Sequence, residues 1–289
     1  MDNMQEAVCY DSYLIKPLAK LGWKVQEVSW QSTNPKWDQF DAVIIRSTWN
    51  YQDHCQEFLK VLKEIEESKA VLLNCRDLVA WNINKKYLKE LEENNVCIVP
   101  TLWEENYSKE IFETAKTKFK SKEYIIKPCV SAGSFDTFRL NEDVEAVDHE
   151  KLAILFKNRE FMIQPFMSTI IEGGEYSLFF FNGEYSHAIV KKPKENDFRV
   201  QEEFGGQLTL ITPEEELLAS AKVALQAIPY GTLYARMDFV KINSNSKGKQ
   251  FALMEAELIE PSLYFYLDEK SAERFALAFD SYFNLLVLK

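Results

Sequence analysis

Apolar residues recur at helical spacing over residues 12–21. Short apolar runs at residues 24–30, 42–46 and 70–74 read as strands, with an amphipathic stretch from about 53 to 67 between the last two. A further helix is expected over about 84–93, and residues 96–99 read as a short strand ended by Pro100. Helices alternating with short apolar runs predict a parallel α/β layer. From about residue 101 the pattern becomes α+β. Strands are expected near 123–127, 135–140 and 161–166, with a helix near 148–157. Residues 176–181 and 184–190 flank Asn182-Gly183, a dipeptide suited to the type I′ turn of a two-residue hairpin. A helix at 214–227, strands at 233–242 and 250–259 around the polar loop 243–249, and a helix from about residue 269 complete the chain. No internal repeat or flexible linker interrupts this order.

Size and charge narrow the classes. The 289 residues, 46% of them hydrophobic, suffice for a sizeable core and fit two or three compact subdomains. A net charge of −11 argues against broad binding to nucleic acid or to an anionic membrane. The one basic cluster, Lys191-Lys192-Pro193-Lys194, is either a solvated hairpin end or a local attraction for phosphate or carboxylate. There is no apolar run of membrane-spanning length, and the N-terminus lacks the pattern of a secretory signal, so a cytoplasmic protein is expected. Five isolated cysteines, without CxxC spacing, fit reduced thiols better than a zinc site or disulfides.

Two features carry chemistry. The stretch Lys127-Pro128-Cys129-Val130-Ser131-Ala132-Gly133-Ser134 follows an apolar run and precedes a second short strand. A strand that delivers a lysine into a loop of small residues lets backbone N–H groups and hydroxyls approach phosphate oxygens beside a fixed positive charge; a plain surface turn has the same pattern. The second feature is Asp238 with Glu255 and Glu257. Reflecting Asp238 through the centre of the 243–249 loop places it opposite residues 254–255, and positions 255 and 257 share a strand face. By strict alternation they follow Phe251 and Leu253, so two acids continue a core-like stripe. Like charges at adjacent cross-strand positions destabilise a sheet unless something neutralises them. A hard divalent cation with oxygen ligands would do so, and a solvated hairpin face is the competing explanation.

The fixed order of these and other segments resembles the ATP-grasp superfamily. The segments are Arg46-Ser47-Thr48-Trp49-Asn50-Tyr51, Trp81-Asn82-Ile83-Asn84-Lys85-Lys86-Tyr87-Leu88, the Lys127 loop, Gln164-Pro165-Phe166, Asp197-Phe198-Arg199-Val200-Gln201 with Gly205-Gly206, and Glu255-Ala256-Glu257-Leu258-Ile259-Glu260-Pro261. Within the superfamily the chain is most similar to the glutathione synthetase-like branch, and there to ligases related to the cyclo-ligase of cycloserine biosynthesis. The resemblance implies an N-terminal Rossmann-like pre-ATP-grasp domain (1–100), a lid subdomain (101–165) and a C-terminal subdomain with the metal site (166–289), the last two sandwiching the nucleotide.

For the site the resemblance implies ATP with Lys85, Lys127 and Ser131, Ala132, Gly133 and Ser134 at the phosphates. Gln164, Pro165 and Phe166 would lie at the adenine and Glu175 at the ribose. Asp238, Glu255 and Glu257 would bind Mg²⁺, with Mn²⁺ as a substitute; the family usually carries asparagine where this chain has Glu257. Arg199 would act with Lys127 in catalysis. Arg46, Ser47, Arg199, Gly205, Gly206 and Arg236 would contact small-molecule carboxylate and amine substrates, though Gly205-Gly206 also suits a plain turn and Arg236 a structural salt bridge. Trp49 and Trp81 could line a substrate pocket or belong to the core. The activity implied is ATP-dependent C–N bond formation through an acyl phosphate; a small-molecule kinase and a non-catalytic ATP-binding module are the alternatives. A homodimer or homotetramer is compatible. Relatives usually begin with a complete β-strand, whereas only residues 7–10 are available for one here.

Overall fold

The computed structural model describes residues 9–141, 143, 146–195, 197–242 and 248–288. The first layer runs through α1 (Ile15–Lys20), β1 (Ala42–Ile44), α2 (Cys55–Glu66), β2 (Val71–Leu73), α3 (Arg76–Ile83) and α4 (Tyr87–Glu93). Strands β1 and β2 pair in parallel. Helix α2 turns Phe58, Leu62 and Ile65, one helical stripe, onto Trp30, Leu72 and Val79.

Two expected strands of this layer do not form. Residues 24–30 have no ladder partner, and Val25 and Val28 stand exposed. Their spacing of three puts them on opposite faces of an extended chain, so they cannot bury together. Residues 96–99 make only a single parallel bridge, Ile98 to Leu253. Residues 7 and 8 of the expected remnant strand and most of the 243–249 loop lie outside the described residues, and residues 9 and 10 are not in a strand.

The rest of the chain builds two antiparallel sheets. The first contains β3 (Leu102–Glu104), β4 (Tyr124–Pro128), β5 (Phe138–Leu140) and β6 (Phe161–Pro165) in the order β3-β6-β4-β5. One face, with Tyr124, Ile126, Phe161 and Ile163, packs on α5 (Lys109–Phe119) and α6 (His149–Leu155). The other face carries Ile125, Lys127 and Gln164, with Ile125 registered on Gln164. Helix α5 is capped by Ser108, whose side chain accepts from the Ile111 N–H, and α6 by Asp148 in the same way.

After α7 (Thr169–Gly173), the second sheet contains β7 (Glu175–Phe181), β8 (Glu184–Lys192), β9 (Gln207–Ile211), β10 (Tyr234–Lys241) and β11 (Phe251–Glu257) in the order β11-β10-β7-β8-β9. The β7–β8 turn has φ of +48° at Asn182 and +80° at Gly183, the left-handed pair that a type I′ turn requires. One face buries Leu178, Phe180, Met237, Phe239 and Leu253 against α8 (Glu215–Gln226) and α4. The opposite face is divided. Its upper part, with Phe179, Phe181 and Tyr234, is covered by α9 (Ser271–Val287). Its lower part carries Glu175, Lys191, Arg236 and Asp238 into a cavity, with Ser177 buried among them.

A β-bulge decides which face the acids take. Asp238 pairs with Glu255 but Phe239 pairs with Leu253, so Met254 is the extra residue. The bulge breaks the alternation assumed from the sequence. Phe251 and Leu253 face α8, while Glu255 and Glu257 join Asp238 and Arg236 on the other side. A second bulge between Phe179 and Phe180 brings Lys191 opposite Glu175. Among the described residues no helix is long and apolar enough to cross a membrane.

Candidate active site

A cavity of about 590 Å³ lies between the two antiparallel sheets and is closed at one end by the first layer. Lys85, Lys127, Ser131, Ala132, Gly133, Ser134, Gln164, Pro165, Phe166, Glu175, Arg199, Arg236, Asp238, Glu255 and Glu257 all line it. Residues far apart in the chain therefore converge on one space. Trp49 lines it too, whereas Trp81 packs against the core and donates its indole N–H to Glu90.

Lys85 ties three parts of the wall together. Its backbone N–H donates to the Cys129 carbonyl at 2.8 Å, and its ammonium meets the Ser131 carbonyl at 2.6 Å and the Glu255 carboxylate at 2.9 Å. Burial opposes the charge on Lys85, but the Glu255 carboxylate outweighs it and holds the pKa above the usual lysine value. Lys127 is different. Among the described residues it makes no ion pair, and burial together with the neighbouring Lys85 charge pulls its pKa down.

The acids are neutralised from within the chain. Arg236 reaches Asp238 at 2.9 Å and Glu257 at 2.5 Å through one Nη2 atom. Asp238 also accepts from Ser177 at 2.5 Å and has Lys191 at 3.5 Å, and Lys191 in turn pairs with Glu175. Burial raises the carboxyl pKa of Asp238 and of Glu255, but Arg236 and Lys191 for the first and Lys85 and Lys127 for the second pull each below the ordinary range. Burial lifts Glu257 to about 7, with Glu255 and Asp238 adding to the effect and Arg236 opposing it. Glu175 is raised by burial despite Lys191. The sequence argument called on a divalent cation to relieve this repulsion; Lys85, Lys191 and Arg236 already do much of that.

The donor chemistry nevertheless suits a hard cation. Asp238, Glu255 and Glu257 offer only oxygens, as Mg²⁺ requires. Among the described residues no three His, Cys, Asp or Glu side chains enclose a ready-made metal position, and the Arg236 fork stands between Asp238 and Glu257.

Toward the first sheet, the Gln164 amide donates to the Thr101 hydroxyl at 2.9 Å, and Phe166 lies under the Arg139 guanidinium and edge-on to Phe198. Arg199 borders the cavity but is held by its neighbour Asp197, at 2.8 Å, and stacks on Phe204. The same loop donates from the Gln201 amide to the Ser134 hydroxyl at 3.0 Å, joining it to the Lys127 loop.

Four residues assigned to substrate lie away from the cavity lining. Arg46 is committed to Asp11 at 3.0 Å and to the Pro261 carbonyl at 2.8 Å, and Ser47 donates to Asp11 at 2.5 Å. Gly205 adopts φ +83°, and a Cβ on Gly206 would stand 2.0 Å from the Val200 carbonyl oxygen. The glycine pair closes its own loop, where φ at Gly205 and the tight approach at Gly206 require the absence of a side chain.

Three kinds of residue were not placed at the site by the sequence. Lys191, for which a solvated hairpin end and an attraction for phosphate or carboxylate were both open, is buried and meets Glu175 and Asp238; reflection through the Asn182-Gly183 turn puts Val190 opposite Glu175, and only the bulge corrects this to Lys191. Asn82 and Tyr87 serve the acid strand. The Asn82 amide donates to the Ala256 carbonyl at 2.8 Å and accepts from the Leu258 N–H at 3.1 Å, while the Tyr87 hydroxyl accepts from the Ala256 N–H at 2.8 Å. They stand where the next strand would be and fix the backbone on both sides of Glu257. Glu260, named from the sequence only as part of the 255–261 segment, lines the cavity with Gln52 of the first layer.

Residues 2–74 match the family model described as D-cycloserine synthetase DcsG, N-terminal domain. Over 276 residues, 92% of this chain and 91% of the relative, the sequence is 26% identical to the cycloserine biosynthesis protein DcsG of Streptomyces lavendulae. The fold is similar to the crystal structure of D-cycloserine synthetase DcsG, with a TM-score of 0.80, 25% identity and 94% of each chain covered. It is also similar to the ATP-grasp ligase PsnB complexed with a phosphomimetic variant of its minimal precursor, Mg and ADP, with a TM-score of 0.64, 16% identity and 94% of each chain covered.

Proposed function

We propose that this chain, which has the ATP-grasp fold, is an ATP-dependent carboxylate–amine ligase that works through an acyl phosphate on a small amino-acid-like substrate. The observation that carries this reading is the cavity between the two sheets, where Lys85 and Lys127 stand beside a row of inward-facing carboxylates.

In this reading a substrate carboxylate oxygen attacks the γ-phosphorus of ATP and ADP leaves. An amine then attacks the acyl carbon, sheds a proton and expels phosphate, which keeps the oxygen the carboxylate contributed. Little covalent work falls to the protein, so positioning and charge compensation are what its residues supply. Lys127, with no ion pair among the described residues, is the cation available to the phosphates, and Lys85 holds the Ser131 carbonyl beside it. Backbone N–H groups of residues 131–134 complete the phosphate cradle. Gln164, Pro165 and Phe166 form the adenine wall, and Glu175 faces the ribose. Arg199 exchanges Asp197 for the transferred phosphoryl group or the substrate carboxylate. Asp238, Glu255 and Glu257 are the residues that would hold Mg²⁺, which would supply positive charge to neutralise phosphate oxygens. The sheet with β3 to β6 shields the acyl phosphate from water.

The test is Mg²⁺-dependent release of ADP and phosphate by the purified protein with pools of amino acids and amines, with Lys127→Ala as control. Release that needs both a carboxylate and an amine, and falls about 100-fold or more in the variant, supports the reading. A stable phosphoester without free phosphate would make the protein a kinase.

A further inference from the structure

Glu260 has a setting unlike that of the other cavity acids. The backbone around it is pinned from three directions. The Tyr234 hydroxyl donates to the Ile259 carbonyl at 2.8 Å, the Trp49 indole to the Glu260 carbonyl at 3.0 Å and Arg46 to the Pro261 carbonyl at 2.8 Å. The side chain is oriented by the Gln52 amide, which donates to Oε1 at 3.2 Å. Yet among the described residues no cation pairs with this carboxylate. The nearest candidates are committed, Lys85 to Glu255 and Arg236 to Asp238 and Glu257. Burial and the Glu257 charge accordingly push its pKa up to about 8. A pinned, oriented acid in a cavity, without a cation, is arranged to receive one from a ligand.

The surroundings define that ligand. Trp49, whose indole reaches the Glu260 carbonyl, lines the cavity together with Tyr51 and a further acid, Asp53. Aromatic faces next to a carboxylate suit an ammonium group and offer nothing to a second anion. We propose that Glu260, oriented by Gln52 and backed by Trp49, binds the ammonium group of the amino-acid-like substrate. The proposal rests on the ligase reading and names the residue that recognises that group.

The test pairs a residue with a substrate group. Each common amino acid of both hands is compared with its 2-hydroxy acid counterpart, alanine with lactate for example. Hydroxylamine, uncharged near neutral pH, traps the acyl phosphate as a hydroxamate. The wild-type protein is expected to favour at least one amino acid over its hydroxy acid by about tenfold or more in kcat/KM, the scale of a charge-assisted contact. Glu260→Gln should raise KM for that amino acid by about tenfold, leave the hydroxy acid within about twofold and so erase the preference; Glu260→Asp should restore part of it. A preference that survives in Glu260→Gln, or equal use of both substrates by the wild type, overturns the assignment. Loss of both substrates in Glu260→Gln without rescue in Glu260→Asp places the carboxylate in the nucleotide site and also overturns it. Hydroxamate from no carboxylate at all, in any variant, counts instead against the ligase reading.

Discussion

Lys127 and Glu260 occupy different ends of one cavity and share one condition. Each is a partly buried charge without an ion-pair partner among the described residues, and its pKa has moved toward the neutral form, down for the lysine and up for the acid. Between them lie Lys85, Lys191, Arg236, Asp238 and Glu255, which satisfy one another within about 3.5 Å. The paired groups form a framework. The unpaired ones mark where ligand charge is missing: negative at Lys127, as phosphates would supply, and positive at Glu260, as an ammonium would supply.

Substitutions can break this contrast. Arg236→Met removes the partner of the buried Asp238 carboxylate and of the partly exposed Glu257 and should cost about 3–5 kcal/mol of stability by denaturant titration. Lys127→Met leaves no stranded partner and should change stability by less than about 1 kcal/mol, while ligand-dependent ADP release falls by about 100-fold or more. Equal destabilisation by the two would erase the distinction between framework and ligand-facing charge.

His187 provides a comparison outside the cavity. It is buried on Phe179, accepts at Nδ1 from Ser186 and donates from Nε2 to the Leu263 carbonyl, so it is neutral in the fold, and burial depresses its pKa to about 4. The unfolded chain takes up this proton near pH 6.5, so the stability His187 contributes is present above 6.5 and is lost as pH falls toward 4. The loss amounts to about 3 kcal/mol. Thermal melts between pH 7.5 and 4.5 should show a fall that is shallower in His187→Gln, while turnover at pH 7.5 stays within about threefold of wild type.

A smaller effect is expected at Asn82. Asn82→Ala strands the Ala256 carbonyl and the Leu258 N–H and should cost about 1–3 kcal/mol. Because those groups flank Glu257, the Mg²⁺ concentration for half-maximal ADP formation should also rise. Lost stability with unchanged Mg²⁺ dependence would reduce Asn82 to an edge support.

The contrast also shows what the sequence could and could not reveal. The long strands from residue 101 onward were legible because each is bounded by turn residues, and Asp238 was placed opposite residues 254–255, where its partner Glu255 lies; β3, α5, α7 and β9 went unread. What alternation could not supply was the face. One extra residue, Met254, puts Glu255 on the opposite side from Leu253, and the bulge at Phe179 hands Glu175 to Lys191 instead of Val190. The first layer was less legible. Its short β1 and β2 are held by α2 and the surrounding tryptophans, and residues 24–30 look strand-like in composition without a face to bury. Arg46 and Ser47 look like ligand residues at a strand end, but Asp11, 35 residues before Arg46, claims both.

The central claim, activation of a carboxylate by ATP in this cavity, is tested most directly with the carboxylate oxygens of the substrate labelled with ¹⁸O. If the acyl phosphate forms and an amine displaces it, each released phosphate carries one labelled oxygen and the C–N product retains the other. Unlabelled phosphate, or label that stays wholly in a phosphorylated product, would contradict the account.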